Sequence, residues 1–126
     1  MPRLLLVEDN EMNRDLLVRR LEKRGYSLAL AVDGAQGVCA AKQWQPALIL
    51  LDMRLPVMDG WTAVAQLKSD PATQFIPVIG LSSDAMAADR ARALAAGCDD
   101  YDTKPVDLER LIAKIEQCLA THAIAN

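Results

Sequence analysis

The sequence predicts an α/β fold in which helices cover both faces of a parallel β-sheet. Five short apolar segments alternate with longer amphipathic segments, a rhythm typical of repeated strand–helix units. Two of the short segments, residues 4–7 and 48–51, are continuously apolar, as expected for strands buried on both faces. Of the 126 residues, 52% are hydrophobic and 25% are charged, so we expect one folded domain and not a disordered segment.

Apolar periodicity and the residues that flank each segment predict the elements in order. The predicted strands span residues 4–7, 28–32, 47–51, 76–81 and 100–102, and the predicted helices span residues 11–24, 35–43, 61–68, 84–96 and 108–120. Gly25 and Gly97 stand where the first and fourth helices should end, because the residue after a helix often adopts a left-handed conformation. Asp107 is the predicted N-cap of the last helix, and residues 121–126 are expected to fray.

The charge and hydropathy of the chain argue against two classes of partner, nucleic acids and membranes. The chain carries 14 Lys and Arg residues against 17 Asp and Glu residues, and a net charge of −3 provides no basic surface for nucleic acid. The apolar runs are far shorter than the roughly 20 residues needed to cross a bilayer, and the N-terminus does not resemble a signal peptide. We therefore expect a cytoplasmic protein with neither nucleic-acid nor membrane partners. The three cysteines have the spacing of neither a disulfide framework nor a zinc site.

Polar side chains follow four of the predicted strands at their carboxyl ends. They are Glu8 and Asp9 after the first strand, Asp52 after the third, Ser82 and Ser83 after the fourth, and Lys104 and Pro105 after the fifth. Ligands of an open parallel sheet bind at this edge, near the point where the strand order reverses. The sequence therefore predicts one site that combines three carboxylates, two hydroxyls and one ammonium group.

Three carboxylates at one edge need a positive partner. Two of them about 4 Å apart repel by roughly 4 kcal/mol at an effective dielectric constant of 20. Lys104 offers only one charge, and the oxygen donors suit a hard divalent cation such as Mg²⁺. We predict that Asp9, Asp52 and a main-chain carbonyl just after Asp52 bind the ion, and that Glu8 orients a coordinated water.

An aspartate beside such an ion can attack phosphorus and form an aspartyl phosphate, which makes Asp52 the candidate phosphoacceptor. The cation and Lys104 would neutralise charge on the transferring phosphoryl group. The Ser82 hydroxyl would donate to a phosphoryl oxygen only in the modified state, so this contact can bias a conformational equilibrium. Alternatively, Ser82 is the N-cap of the fourth helix.

Four motifs occur in order at these strand ends. They are Leu-Leu-Leu-Val-Glu-Asp-Asn at residues 4–10, Leu-Ile-Leu-Leu-Asp-Met at residues 48–53 with Leu-Pro-Val-Met-Asp-Gly at residues 55–60, Leu-Ser at residues 81–82, and Gly-Cys-Asp-Asp-Tyr-Asp-Thr-Lys-Pro at residues 97–105. Together they make the chain, from about Arg3 to Leu119, resemble the receiver domain of two-component response regulators. The Glu-Asp-Asn opening is similar to that of receivers within hybrid kinases.

The resemblance implies a flavodoxin-like, doubly wound (βα)5 fold with five parallel strands in the order 2-1-3-4-5. It implies that Asp52 accepts a phosphoryl group from a histidine kinase or a histidine phosphotransfer protein. Asp9 would bind Mg²⁺ directly, Glu8 would act through water, and Arg54 would contribute its main-chain carbonyl. Lys104 would contact the phosphoryl group.

The resemblance also implies a switch. Ser82 would move toward the phosphoryl group and Tyr101 would swing inward, so that the surface of the fourth helix, fifth strand and fifth helix changes its affinity for a downstream protein. A simpler alternative is that Tyr101 only covers apolar surface with its hydroxyl in water. The peptide bond between Lys104 and Pro105 would be cis, as is typical of the family.

Two charged residues flank the site in this resemblance. Arg54 lies two residues beyond Asp52, and Asp84 lies two residues beyond Ser82. We hypothesise that Arg54 and Asp84 approach across the mouth of the site and tune how fast water removes the phosphoryl group. The alternative is an exposed ion pair of little energetic consequence.

We expect a receiver domain over residues 1–121 and a short C-terminal tail over residues 122–126, without an output domain. Such a chain is a switch and not an enzyme, beyond gaining and losing its own phosphoryl group. Three alternatives stay open: a Mg²⁺-dependent phosphatase with an aspartyl nucleophile, a binding-only pseudo-receiver, and a receiver cut from a hybrid kinase. Against the phosphatase, such enzymes usually carry Asp-x-Asp after the first strand and a cap domain, whereas residues 8–10 are Glu-Asp-Asn.

Overall fold

The computed structural model of the protein describes residues 2–83 and 87–125. Within these residues, strands and helices alternate as β1 (Arg3–Val7), α1 (Glu11–Lys23), β2 (Ser27–Ala31), α2 (Gly34–Trp44), β3 (Leu48–Asp52), α3 (Gly60–Ser69), β4 (Val78–Ser82), α4 (Ala87–Ala96), β5 (Asp100–Thr103) and α5 (Leu108–Ala125). The strands form one parallel sheet in the order β2-β1-β3-β4-β5. The predicted α/β fold class and the implied strand order are both confirmed.

The apolar core forms two layers, one on each face of the sheet. The layer beneath α2, α3 and α4 receives Leu5, Val7, Ile49 and Leu51, and the layer beneath α1 and α5 receives Leu4, Leu6, Leu48 and Leu50. Successive residues of a strand point to opposite faces, so the continuous apolar runs of β1 and β3 fill both layers. Both strands are therefore central, and their carboxyl ends lie side by side.

The observed boundaries lie close to the predicted ones, with one difference at the last helix. α5 continues to Ala125, past the predicted end at Ala120, and so includes residues that we expected to fray. Residues 121–125 contain neither glycine nor proline, so nothing in this segment interrupts the helix. The first residues of the predicted fourth helix, 84–86, lie outside the described residues.

The predicted helix ends are confirmed by backbone geometry. Gly25 and Gly97 adopt φ angles of 93° and 124°, which side-chain-bearing residues rarely reach. The Asp107 side chain accepts a 3.1 Å hydrogen bond from the main-chain N–H of Arg110, as an N-cap does. The side chains of Asn10 and Asp59 likewise cap the N-termini of α1 and α3 at the carboxyl edge of the sheet.

The sequence predicts neither a membrane-spanning helix nor a disulfide framework. None of the helices in residues 2–83 and 87–125 is both long enough and apolar enough to span a bilayer. The described residues include all three cysteines and no disulfide bond between them; Cys98 and Cys118 are buried and Cys39 is exposed.

One buried carboxylate interrupts the apolar layer beneath α5. Asp102 of β5 is 4% exposed, and its Oδ1 accepts hydrogen bonds of 2.8 Å from Arg110 Nε and from the N–H of Thr103. Its Oδ2 has no hydrogen-bond partner among the described residues. The Arg110 side chain, which is 45% exposed, therefore supplies the only ion pair recorded for this carboxylate within the described part of the chain.

We expect Arg110→Ala to lower the free energy of unfolding by about 2 kcal/mol, because it leaves the buried Asp102 charge without its cation. Asp102→Leu should cost less, since a leucine fits the apolar layer and Arg110 can turn into water. Urea unfolding at neutral pH measures both changes. A smaller loss for Arg110→Ala than for Asp102→Leu would contradict this account.

Candidate functional site

The strand order brings the predicted polar residues to one edge of the sheet. β2 lies on one side of β1 and β3 on the other, so the order reverses between β1 and β3. Glu8 and Asp9 directly follow β1, Asp52 is the last residue of β3, and Ser82 is the last residue of β4. Lys104 follows β5 at the same edge. The site predicted at this edge is therefore assembled in the fold, at the position where open parallel sheets bind ligands.

Three carboxylates converge at the reversal point. Glu8, Asp9 and Asp52 each offer one oxygen, and these oxygens lie within 4.8 Å of one another. Glu8 and Asp52 are only 3% and 5% exposed, whereas Asp9 is open to solvent. Two buried donors and one exposed donor can hold a hard cation that enters from the solvent side.

One ammonium group bridges the two buried carboxylates. Lys104 Nζ lies 2.5 Å from Glu8 Oε1 and 3.1 Å from Asp52 Oδ2. Three carboxylates against one ammonium leave the cluster with an excess of negative charge when all are ionised. This donor set fits a divalent cation, since such an ion would cancel the remaining charge.

The pKa values of Glu8 and Lys104 are shifted by burial and by their contacts with one another and with Asp52. Burial, followed by the hydrogen bond to Asp52, raises the pKa of Glu8 to about 7. Burial works to lower the pKa of Lys104, but the hydrogen bond to Glu8 and the charge of Asp52 outweigh it, so this pKa is raised. The site thus retains a proton on its lysine and resists full ionisation of Glu8.

The loop between β3 and α3 holds Asp52 from the other side. The Arg54 main-chain N–H donates a 2.9 Å hydrogen bond to Asp52 Oδ1. A Cβ on Gly60 would lie 2.5 Å from the Met53 Cα and 2.7 Å from the Asp52 carbonyl oxygen, so only glycine lets α3 begin this close to β3. The main-chain carbonyl of Arg54 stays a predicted ligand.

Val57, in the same loop, has an unfavourable backbone conformation. Its φ is 67° and its side chain is 84% exposed, so no burial compensates a conformation that β-branched residues avoid. Backbone strain of this kind is found near functional sites, where neighbouring contacts enforce it.

The two candidate switch residues are both buried. Ser82 is fully buried at the end of β4, and Tyr101 packs in the core layer beneath α2, α3 and α4. Tyr101 is 4% exposed, and its alternative role of only covering apolar surface stays open beside the switch role. A capping role for Ser82 would involve residues 84–86, which lie outside the described residues. The switch roles stay predictions, and the peptide bond between Lys104 and Pro105 is cis.

Arg54 has an acidic partner that the sequence did not suggest. Its guanidinium Nη2 lies 3.3 Å from Asp89 Oδ2 in the first turn of α4. The predicted partner, Asp84, lies outside the described residues, so the hypothesis of an Arg54–Asp84 gate stays a prediction.

Comparison with known proteins identifies the family. The model of the response regulator receiver domain matches residues 4–116. The chain belongs to this family. This receiver is 37% identical over 120 residues to the protein PilH of Pseudomonas aeruginosa, a match that covers 95% of this chain and 99% of PilH.

Two further relatives are longer proteins. The receiver is 40% identical over 119 residues to the DNA-binding dual master transcriptional regulator RpaA of Synechocystis sp., covering 94% of this chain and 49% of RpaA. It is 38% identical over 113 residues to the response regulator PleD of Caulobacter vibrioides, covering 90% of this chain and 25% of PleD. The chain therefore spans about half the length of RpaA and a quarter of PleD.

Solved structures agree with the fold. The receiver domain of the sensor histidine kinase PA1611 from Pseudomonas aeruginosa, which holds a magnesium ion in its active-site cleft, superposes with a TM-score of 0.88 at 34% identity, covering 94% of this chain and 98% of that one. A receiver domain protein from Methanospirillum hungatei superposes with a TM-score of 0.91 at 25% identity over 100% of this chain and 99% of that one.

Sequence reasoning missed several residues that support the receiver site. Arg14 of α1 donates a 3.0 Å hydrogen bond to the main-chain oxygen of Glu8 and so fixes the turn that carries two of the carboxylates. Asp89 and Arg92 of α4 reach Arg54 and Trp61, respectively. Arg14 lies in the first turn of α1, shortly after Glu8 and Asp9, so the sequence could have suggested it as a residue that supports the site. No sequence pattern links α4 to Arg54.

Glu8→Gln should stabilise the receiver in the absence of metal, by about 1–2 kcal/mol near pH 8, because it removes one buried like charge and keeps an acceptor for Lys104. The pKa of Glu8, about 7 in the fold, lies above the ordinary value of 4.5 for this side chain. The folded state therefore binds the proton more tightly, so stability from this group is present at low pH and lost as the pH rises through 7.

The gain from Glu8→Gln should consequently be larger near pH 8 than near pH 5, as measured by urea unfolding in EDTA. Glu22→Gln, at an exposed position of α1, is the matched control and should change stability little at either pH. A gain that is equal at both pH values would contradict the raised pKa of Glu8 and the cost of burying its charged form.

Val57→Gly should raise the free energy of unfolding by about 0.5–1 kcal/mol, because glycine adopts the positive φ without the steric penalty of Val57. Val57→Ala keeps the Cβ and is the control that should recover little of this gain. Thermal or urea unfolding compares the three proteins. If Val57→Gly and Val57→Ala stabilise the protein equally, the gain comes from losing the exposed apolar side chain and not from relief of backbone strain.

Proposed function

We propose that this receiver accepts a phosphoryl group on Asp52 from the phosphohistidine of a histidine kinase or a histidine phosphotransfer protein. An Asp52 carboxylate oxygen forms the new bond to phosphorus as the bond from phosphorus to the donor imidazole breaks, and the imidazole nitrogen keeps the electron pair. The observation that carries the proposal is the buried Asp52 carboxylate within 4.8 Å of the Glu8 and Asp9 oxygens.

The donor set supports a role for Mg²⁺. Asp9 and Asp52 would hold the ion directly, Arg54 would contribute its carbonyl, and Glu8 would act through a coordinated water. When bound, the ion supplies positive charge against the phosphoryl oxygens. The related PA1611 receiver, which holds a magnesium ion in its cleft, is consistent with this assignment.

Lys104 can remain in contact with the negative charge as that charge moves during phosphoryl transfer. Its ammonium group already contacts Asp52 Oδ2 at 3.1 Å, and its raised pKa keeps it protonated at neutral pH. When phosphorus bonds to the Asp52 carboxylate, negative charge moves outward onto the phosphoryl oxygens, which are stronger partners for a cation. Lys104 then stabilises the product, and the hydroxyl of Ser82 donates to another phosphoryl oxygen.

A groove beside the site offers room for the donor. It has a volume of about 620 Å³ and runs between α1 and the segment after β5, with Glu8 and Lys104 among its lining residues and Leu16 on its rim. Leu16 and Met12 of α1 are exposed apolar side chains, the kind of surface that packs against a partner protein. The donor protein would bind there and present its phosphohistidine to Asp52.

The proposal makes the chain a cytoplasmic phosphoacceptor switch and not an enzyme. Its output would be a changed affinity for a downstream protein, transmitted through Ser82 and the buried Tyr101. To move from 1% to 99% in the active form, phosphorylation must favour that form by about 5.5 kcal/mol. Several charge-assisted hydrogen bonds to one phosphoryl group supply energy of this order.

Incubation with acetyl phosphate and Mg²⁺ tests the proposal by intact-protein mass spectrometry. We expect one phosphoryl group per chain, none in EDTA, and none with Asp52→Asn, which removes the nucleophilic charge and keeps the shape. Asp15→Asn, at an exposed carboxylate of α1, is the matched control and should leave uptake unchanged.

Two other results would each overturn the proposal and indicate a different function. Release of many equivalents of phosphate per chain would indicate the aspartyl phosphatase. The absence of both uptake and turnover would indicate a binding-only pseudo-receiver.

A further inference from the structure

Arg54 touches both the phosphoacceptor and a distant helix. Its main-chain N–H donates to Asp52 Oδ1 at 2.9 Å, while its guanidinium group pairs with Asp89 in the first turn of α4 at 3.3 Å. The Asp89 side chain is mostly buried and the Arg54 side chain about half exposed. One residue therefore connects the chemistry at the end of β3 to α4 without any intervening strand.

An indole ring holds Arg54 in this position. The guanidinium carbon of Arg54 lies 4.9 Å from the centroid of the Trp61 ring, and that of Arg92 from α4 lies 3.9 Å from the same ring. Trp61 is 8% exposed, so both cations contact a largely desolvated aromatic surface, where such contacts are strongest. The ring joins a cation from the phosphoacceptor loop to a cation from α4.

Carboxylates balance the two cations. Asp89 pairs with Arg54, and the charge of Arg92 contributes to lowering the pKa of Asp59 at the start of α3, together with the larger effect of the Thr62 N–H hydrogen bond. The cluster of Arg54, Trp61, Asp89 and Arg92, which we call the Trp61 cluster, is therefore held by charge as well as by packing.

A phosphoryl group on Asp52 is a new anion beside Arg54. It replaces one negative charge by about two and adds oxygens next to the main chain of Arg54. The planar guanidinium group binds phosphoryl oxygens in a bidentate manner, and more strongly than it binds a single carboxylate oxygen. The Arg54 side chain thus has two competing partners, one at the phosphoacceptor and one on α4.

We propose that Arg54 is a coupling residue that leaves Asp89 and Trp61 for the phosphoryl group when Asp52 is modified, and thereby releases the first turns of α4 from the β3–α3 loop. The inference rests on the proposed function, because it needs the phosphorylated state. It goes beyond that function by naming the contacts through which α4 senses the phosphoryl group. By linkage, breaking the Arg54–Asp89 pair must make the site bind a phosphoryl analogue more tightly.

The first test uses the fluorescence of Trp61. Trp44 lies at the opposite edge of the sheet beneath Arg3, with 4.5 Å between the guanidinium carbon and its ring, so Trp44→Phe leaves Trp61 as the only tryptophan and does not touch the site. We expect beryllofluoride with Mg²⁺ to change the emission of this protein and to have little effect when Arg54→Ala is added. Arg54→Ala keeps the main-chain N–H and C=O that the site uses.

The matched control is Trp61→Phe, which retains the other arginine–tryptophan pair and should not respond to beryllofluoride. An unchanged response in the protein with Arg54→Ala would overturn the coupling role. Uptake of acetyl phosphate without any change in Trp61 emission would also overturn it and would leave the proposed function intact. Absence of uptake would instead overturn the proposed function, and this inference with it.

The second test is a double-mutant cycle on affinity. Asp89→Asn should tighten beryllofluoride binding by about twofold to fivefold, the range expected for a partly exposed ion pair, and should have no such effect in the Arg54→Ala background. Isothermal titration calorimetry measures all four affinities, and thermal unfolding checks that each variant is folded. Equal effects of Asp89→Asn in both backgrounds would show that Asp89 acts independently of Arg54 and would overturn the inference.

Discussion

The sharing of one ammonium group between two buried carboxylates is the interaction on which the rest of the site depends. Lys104 contacts both Glu8 and Asp52, and without it two like charges would face each other in a largely dry environment. One cation cannot neutralise three carboxylates, so the cluster keeps an affinity for further positive charge. The same imbalance that makes the site costly to fold suits it to the cation and the phosphoryl group that we propose it binds.

This charge balance constrains the whole sheet. β5 lies two strands away from β3, so the residue that follows β5 is about 10 Å from the end of β3. A long, flexible side chain such as that of Lys104 can cross this distance, whereas a short cationic group could not. The central position of β1 and β3, which follows from their apolar runs, buries the carboxylates that the lysine must reach. The burial of the central strands and the placement of the charged groups thus follow from the same arrangement of strands.

The loop between β3 and α3 links the site to the opposite layer of helices. Gly60 allows this loop to pack against the backbone of Met53 and Asp52, and Val57 accepts a strained conformation within it. From this compact loop, Arg54 extends away from Asp52 and contacts Trp61 of α3 and Asp89 of α4. A charged side chain of this loop therefore lies between the end of β3 and α4.

Much of this receiver could be read from its sequence, because the signals involved are local. Continuous apolar runs identified central strands, glycines at positive φ marked helix ends, and acidic or basic residues at strand ends marked the functional edge. The resemblance to receivers then implied the strand order. α5 extends further than its flanking residues indicated, because the predicted end carries no residue that stops a helix.

The sequence by itself determined which groups lie at the edge of the sheet, since parallel strands always present their carboxyl ends together. Only the tertiary structure decided how those groups pair: that Lys104 bridges Glu8 and Asp52, that Arg54 turns to Asp89, and that one oxygen of the buried Asp102 has no hydrogen-bond partner among the residues the structure describes. The physical reason is that periodicity fixes the face and the end of an element, whereas partner choice depends on distances between side chains far apart in the chain.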